Sequence, residues 1–152
     1  MKGIENEKTE KGKVLVIEDD INWQSDLKRY LEFAGFYVEV VDNVENAIGK
    51  IKKEMFHFIT IDMQLNKKTW DRDKYEGWSV LEIIKKLRTQ YVTPTMVITA
   101  FDDDYNELKH SKKLESIFFM GKAVFDRDVF IDIIEKSVAK IDLHFYNDHR
   151  GQ

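Results

Sequence analysis

The sequence predicts an α/β protein: an open, five-stranded parallel sheet, doubly wound, with helices on both faces. Three observations predict it. Five short apolar runs, rich in Val, Ile, Phe and Met, recur along the chain: 14–17, 36–41, 58–61, 95–99 and 117–120. The first, Val14-Leu15-Val16-Ile17, is continuous and rich in β-branched residues, which fits a strand buried on both faces. Stretches with apolar residues at helical spacing separate them, and regular β–α alternation specifies parallel pairing through right-handed crossovers. The 152 residues, 43% hydrophobic and 34% charged, suffice for one domain with a buried core.

Each element has its own justification. Residues 1–12 are charged and aperiodic, and are read as a flexible lead-in. Val14-Leu15-Val16-Ile17 is the first strand, and Glu18-Asp19-Asp20 follows it abruptly. Trp23, Leu27, Tyr30, Leu31 and Ala34 then mark a helix that Gly35 stops, with Asp20 as its cap. Phe36 to Val41 is the second strand. Asp42 or Asn43 caps a second helix to about Glu54, with Val44, Ala47, Ile48 and Ile51 on one face. Phe58 to Ile61 is the third strand and ends at Asp62. Residues 62–76 are polar and irregular. Trp78 to Thr89 is a third helix, Thr95 to Thr99 the fourth strand, and Asp102 to Lys113 a weak, polar fourth helix. Ile117 to Met120 is the fifth strand. Val129 to about Phe145 is the clearest amphipathic helix, through Phe130, Ile133, Ile134, Val138 and Ile141. The domain is therefore expected over 13–145, with a polar tail at 146–152.

Composition narrows the function. The formal net charge of −4 argues against a basic nucleic-acid-binding face. Cysteine is absent, which excludes disulfides, thiol chemistry and thiolate metal sites. No uncharged run approaches the roughly 20 residues of a membrane helix, and Met1 to Lys13 shows no secretory signal. A cytoplasmic protein without direct membrane contact is expected.

In an open parallel sheet the active crevice lies outside the carboxyl ends of the strands. Here those ends carry Glu18-Asp19-Asp20, Asp62, Thr99-Ala100 and, just past the fifth strand, Lys122. Clustered carboxylates repel unless a cation neutralises them, and an all-oxygen set suits Mg²⁺. A carboxylate can also be a nucleophile toward a phosphoryl group, assisted by an ammonium and a hydroxyl.

The pieces Val14-Leu15-Val16-Ile17-Glu18-Asp19-Asp20, Ile59-Thr60-Ile61-Asp62-Met63-Gln64-Leu65, Val97-Ile98-Thr99-Ala100 and Phe119-Met120-Gly121-Lys122 stand in order at strand ends. In this the chain resembles the receiver domain of bacterial two-component response regulators, over about residues 13–145. The resemblance implies a flavodoxin-like sheet of order 2-1-3-4-5. It implies that Asp62 accepts a phosphoryl group from a sensor histidine kinase or phosphotransfer protein. Asp19, Asp62 and the backbone carbonyl of Gln64 would hold Mg²⁺, with Glu18 bound through water. Thr99 would hydrogen-bond the phosphoryl oxygens, Lys122 would pair with them, and Phe119 would be the switch aromatic. The face of the fourth helix, fifth strand and fifth helix would meet a downstream protein, or a second copy in a homodimer. Either a stand-alone receiver or a fragment of a longer regulator fits.

Departures from the family pattern are visible. Asn66 stands where Pro is usual. Gly77 lies fifteen positions after Asp62, so about seven residues within 66–75 read as an insertion, exposed and mobile. Ala123 follows Lys122 where the family has a cis Pro. These departures favour, as a second reading, a receiver-like binding module that does not switch. A phosphohydrolase on a similar sheet is a third, weakened because Gln64 replaces the second Asp of Asp-x-Asp.

Plain structural readings stand beside these. Glu18-Asp19 alone would be an acidic cap, Asp62 a turn residue, Thr99 a β-former and Lys122 a solvated lysine. Trp23 and Trp78 read as core or half-buried aromatics, Trp70 as leaning on the domain, Phe118 as core, and the Lys109, His110, Lys112, Lys113 cluster as a solvated face. Four histidines (57, 110, 144, 149) show no metal spacing.

The resemblance also implies that side chains at Gln64 and Phe101 flank the path of a water hydrolysing the phosphoryl group. Gln64 would orient that water and Phe101 would exclude it, and exclusion should prevail. The phospho-form is expected to be long-lived, and Phe101→Glu to decay faster. Equal or slower decay in the variant would sink the shielding role.

Overall fold

The computed structural model describes residues 11–62, 80, 82–84, 86, 93–100 and 117–149. Five strands form one sheet: β1 (Lys13–Ile17), β2 (Tyr37–Val41), β3 (Phe58–Ile61), β4 (Thr95–Thr99) and β5 (Phe118–Gly121). Their order is β2-β1-β3-β4-β5, and every pair is parallel. This is the expected 2-1-3-4-5 arrangement.

Alternation along the strands builds two cores. Leu15, Ile17, Ile59, Ile61 and Val97 face one side, where they meet Ala47 and Ile51 of the helix Val44–Lys53 together with Val80 and Ile84. Val14, Val16, Phe58, Met96 and Ile98 face the other. There they meet Leu27 and Leu31 of the helix Ile21–Phe33, and Phe130, Ile134 and Val138 of the helix Arg127–His149. Burying each such side chain stabilises the fold by roughly 1.5–3 kcal/mol.

Local chemistry sets the helix ends. Asp20 caps the first helix, accepting from the backbone N–H groups of Asn22 and Trp23 at 2.9 and 3.3 Å. At the other end Gly35, at φ +104°, takes the left-handed conformation. Its N–H reaches the Glu32 carbonyl and that of Phe36 reaches the Leu31 carbonyl, both at 3.0 Å. This paired closure turns the chain into β2, with Phe36 and Leu31 buried in the same core. Asn43, not Asp42, caps the second helix, accepting from Asn46 N–H at 2.8 Å. Asp126 caps the last through Asp128 and Val129.

Several expectations shift. β5 runs one residue later than 117–120, because its register pairs Thr99 with Gly121. Phe118 is not core: it is 37% exposed and stacks its ring on Phe58. The final helix passes Phe145 and continues to His149, into the segment read as tail; no Gly or Pro interrupts 127–149. Within the lead-in, Lys11 is tied down, its N–H donating to the Gly35 carbonyl at 3.0 Å and its ammonium pairing with Glu135 at 2.7 Å. The insertion at 66–75, Trp70, Trp78 and the fourth helix at 102–113 lie outside the described residues. Among the described residues no helix is long and apolar enough to cross a membrane.

Asp20→Ala should lower the unfolding free energy by about 1 kcal/mol, read as a shift of the urea midpoint at constant slope. No shift would mean that Asp20 is not needed as a cap.

Candidate functional site

Register brings the site together. Ile17 of β1 stands beside Ile61 of β3, and Ile61 beside Val97 of β4. The next residues therefore emerge together at the carboxyl edge: Glu18 and Asp19 after β1, Asp62 after β3. Carboxylate oxygens of Glu18, Asp19 and Asp62 lie within 4.8 Å of one another. Glu18 is 2% and Asp62 3% exposed. Backbone bonds hold both ends, from Glu18 N–H to the Val41 carbonyl and from Asp62 N–H to the Ile17 carbonyl.

Lys122 reaches the same cluster from the short 3₁₀ turn Lys122–Val124 that follows β5. Its Nζ is 2.6 Å from Glu18 Oε1 and 3.1 Å from Asp62 Oδ2. Lys122 thus engages Glu18 as well as the acceptor position that the resemblance implied. All peptide bonds of the described residues are trans, that of Lys122-Ala123 included. The Lys122 ammonium therefore meets Asp62 without the family's cis proline.

Burial and charge perturb these groups. Desolvation, reinforced by the Asp62 charge, pushes the Glu18 carboxyl up to about 8, outweighing the stabilising Lys122 ammonium. Burial works against the charge on Lys122, yet the Asp62 carboxylate and the Glu18 contact overcome it and hold the ammonium above the ordinary lysine range. Crowded, dry carboxylates of this kind attract a further cation. The donors are all oxygen, and three carboxylates face one point. That set fits a hard divalent ion such as Mg²⁺, which uses few protein ligands and keeps its waters.

The other expected residues fall partly into place. Thr99 is buried at the end of β4, in register with Gly121 beside Lys122. Phe119 is half-buried and packs against the core that contains Ile61 and Val97. Gln64 and Phe101 lie outside the described residues. Two contributors were not anticipated. Gln24 donates its side-chain amide to the Glu18 carbonyl at 2.6 Å, steadying the acidic loop. The Trp23 ring lies 5.1 Å from Lys122 Nζ. Helical spacing marks both as near the first strand's end, but nothing local links Trp23 to a lysine 99 positions later.

Residues 14–139 match the response regulator receiver domain family. The transcriptional regulatory protein CrdR of Helicobacter pylori is 24% identical over 139 residues, covering 90% of this chain and 55% of CrdR. The transcriptional regulatory protein ResD of Bacillus subtilis is 22% identical over 103 residues, 68% of this chain and 39% of ResD. The chain thus spans about half or less of these curated relatives. Among solved structures, the receiver domain of the Francisella response regulator 1452 superposes with a TM-score of 0.69 at 24% identity, covering 86% of this chain and 98% of that one. The receiver domain of a sensor histidine kinase from Pseudomonas aeruginosa, which has a magnesium ion coordinated in its active-site cleft, gives 0.64 at 19% identity, covering 84% and 98%.

Because Glu18 holds its proton to about pH 8 in the folded chain, against 4.5 as its ordinary value, the folded state binds the extra proton between those values. Its stabilising contribution is complete below pH 4.5 and is lost as pH rises toward 8. Mg²⁺ requires the carboxylates ionised, so it should raise the denaturation midpoint more at pH 8 than at pH 6. Midpoints measured with and without Mg²⁺ across this range check both signs, and Glu18→Gln should flatten the metal-free slope.

Proposed function

The chain belongs to the response regulator receiver domain family, and on that footing we propose that it is a phospho-acceptor switch with Asp62 as the acceptor. One observation carries the assignment. The Asp62 carboxylate is buried at the end of a central strand, paired with Lys122 and within metal-ligand reach of Glu18 and Asp19.

The donor in this reading is a phosphohistidine on a sensor kinase or phosphotransfer protein. An Asp62 oxygen forms a bond to phosphorus as the phosphorus–nitrogen bond breaks, and the leaving imidazole takes up a proton. Lys122 already points at the carboxylate and would follow the charge onto the phosphoryl oxygens. Asp19 and Asp62 would hold Mg²⁺, with Glu18 bound through a water and, as the resemblance implies, the backbone carbonyl of Gln64 as a further ligand. The ion would supply charge neutralisation on the transferring group.

Phosphorylation replaces the single charge of the Asp62 carboxylate with a phosphoryl group carrying roughly two, a net gain of about one negative charge at a dry edge. Thr99 ends β4, and Phe119 stands beside Val97 on β5 and packs against the core that contains it. Movement of Thr99 toward the phosphoryl group with repacking of Phe119 would alter the β5 face, where Phe118 already stands exposed. A downstream protein reading that face is the output of this switch. The acceptor and its helpers act once per modification, as a signalling domain rather than a turnover enzyme.

Incubation with acetyl phosphate or phosphoramidate and Mg²⁺ should add about 80 Da to the intact mass, the increment of one phosphoryl group. Asp62→Asn should abolish the gain. Full labelling of the variant would place the acceptor elsewhere.

A further inference from the structure

The geometry points to Trp23 as the positioning residue that aims Lys122, through an aromatic clamp closed by Phe125. The inference rests on the acceptor reading for its consequence, though not for its geometry.

The turn that carries Lys122 does little to direct it. Ala123 is exposed and Val124 is 77% exposed, so neither anchors the loop. The Phe125 N–H to Lys122 carbonyl bond is long, at 3.4 Å. A lysine side chain is a flexible four-carbon stem with a compact, hydrated charge. Even so, the Lys122 side chain is only 8% exposed and its ammonium sits between two carboxylates.

The covering group is Trp23, whose ring centroid is 5.1 Å from Nζ. Trp23 is itself held on both sides. Its backbone N–H is bound by the Asp20 cap. Its ring meets Phe125 edge-on, at 5.3 Å and 87°. Phe125 in turn contacts Phe130 at 5.2 Å, stacks with Tyr30 at 6.1 Å, and Phe130 is fully buried. Phe125 lies three residues after Lys122, so the ring group that fixes Trp23 also fixes the exit of the lysine's own turn. Lys122, Trp23 and Phe125 form a closed circuit anchored in the core.

An aromatic face suits this task for an electrostatic reason. Its quadrupole attracts an ammonium, and more strongly where water is excluded. It does so without being a hydrogen-bond acceptor that competes with Asp62. The clamp restrains the cation while leaving its donors for the carboxylate, and later for the phosphoryl oxygens. Small misplacement of such a group is expensive in rate.

Phosphorylation by phosphoramidate at saturating Mg²⁺ tests the clamp. Trp23→Leu should slow the maximal rate about tenfold, with the donor concentration for half-maximal rate unchanged, and Trp23→Phe should recover most of the loss. An independent arm reads Lys122 directly: its side-chain protons should be shifted upfield in the nuclear magnetic resonance spectrum by the ring current, and the shift should vanish in Trp23→Leu. If Trp23→Leu fails to fold, fluorinated tryptophans at position 23, in a chain carrying Trp70→Phe and Trp78→Phe, weaken the ring quadrupole without changing its size. The rate should then fall with each added fluorine. A Trp23→Leu rate equal to wild type, an unshifted Lys122 in the folded protein, or indifference to fluorination would each overturn the clamp. Absence of any phosphorylation in the wild type would overturn the acceptor reading, while the resonance arm still decides the clamp.

Discussion

Two carboxylates, Glu18 and Asp62, end neighbouring strands of a parallel sheet at almost no exposure, and the rest of the site follows from having to hold their charge there. Unpaired, such groups would be costly to bury. Three features of the chain meet that demand. Glu18 keeps its proton far above the ordinary carboxylate range. Lys122 reaches across from beyond β5 to touch both. The third carboxylate, Asp19, completes an oxygen set ready for a divalent ion.

The scaffold keeps that edge in place. Strand alternation sends one set of apolar side chains to each face, and helices close both. The caps divide labour with the site. Asp20 spends its carboxylate on the backbone of the first helix, leaving Glu18 and Asp19 to the crevice. Gln24, one turn further on, ties the same helix to the Glu18 carbonyl. The first helix therefore carries three attachments to the site: a cap, an amide and, through Trp23, a ring over Lys122.

Membership of the receiver family rests on the match over residues 14–139, while the solved neighbours, at 24% identity or less, support the fold. The chemistry of this chain has to be argued from its own residues. Ala123 after Lys122 shows why: the lysine arrives at Asp62 on an all-trans backbone, with aromatic packing beside it. What the longer relatives do beyond the span they share is theirs.

Much of this was determined by the sequence alone. Apolar runs with abrupt charge at their ends located the strands, and a parallel sheet necessarily gathers those ends, so Glu18, Asp19, Asp62, Thr99 and Lys122 could be placed on one edge before any coordinates. Helix punctuation was equally local, as Asp20 and Gly35 demonstrate. Tertiary structure decided what depends on distant partners. Phe118 reads as core from its hydrophobicity, but its position on the outermost strand leaves it exposed. Asn43 rather than Asp42 accepts the Asn46 N–H and so caps the second helix. Lys122 could be placed at the edge by sequence, but its contact with Glu18, and the ring of Trp23 over it, required the first helix and the β5 turn to meet. Short-range pattern encodes which residues share an edge; only packing between elements far apart in the chain sets where a flexible side chain on that edge points.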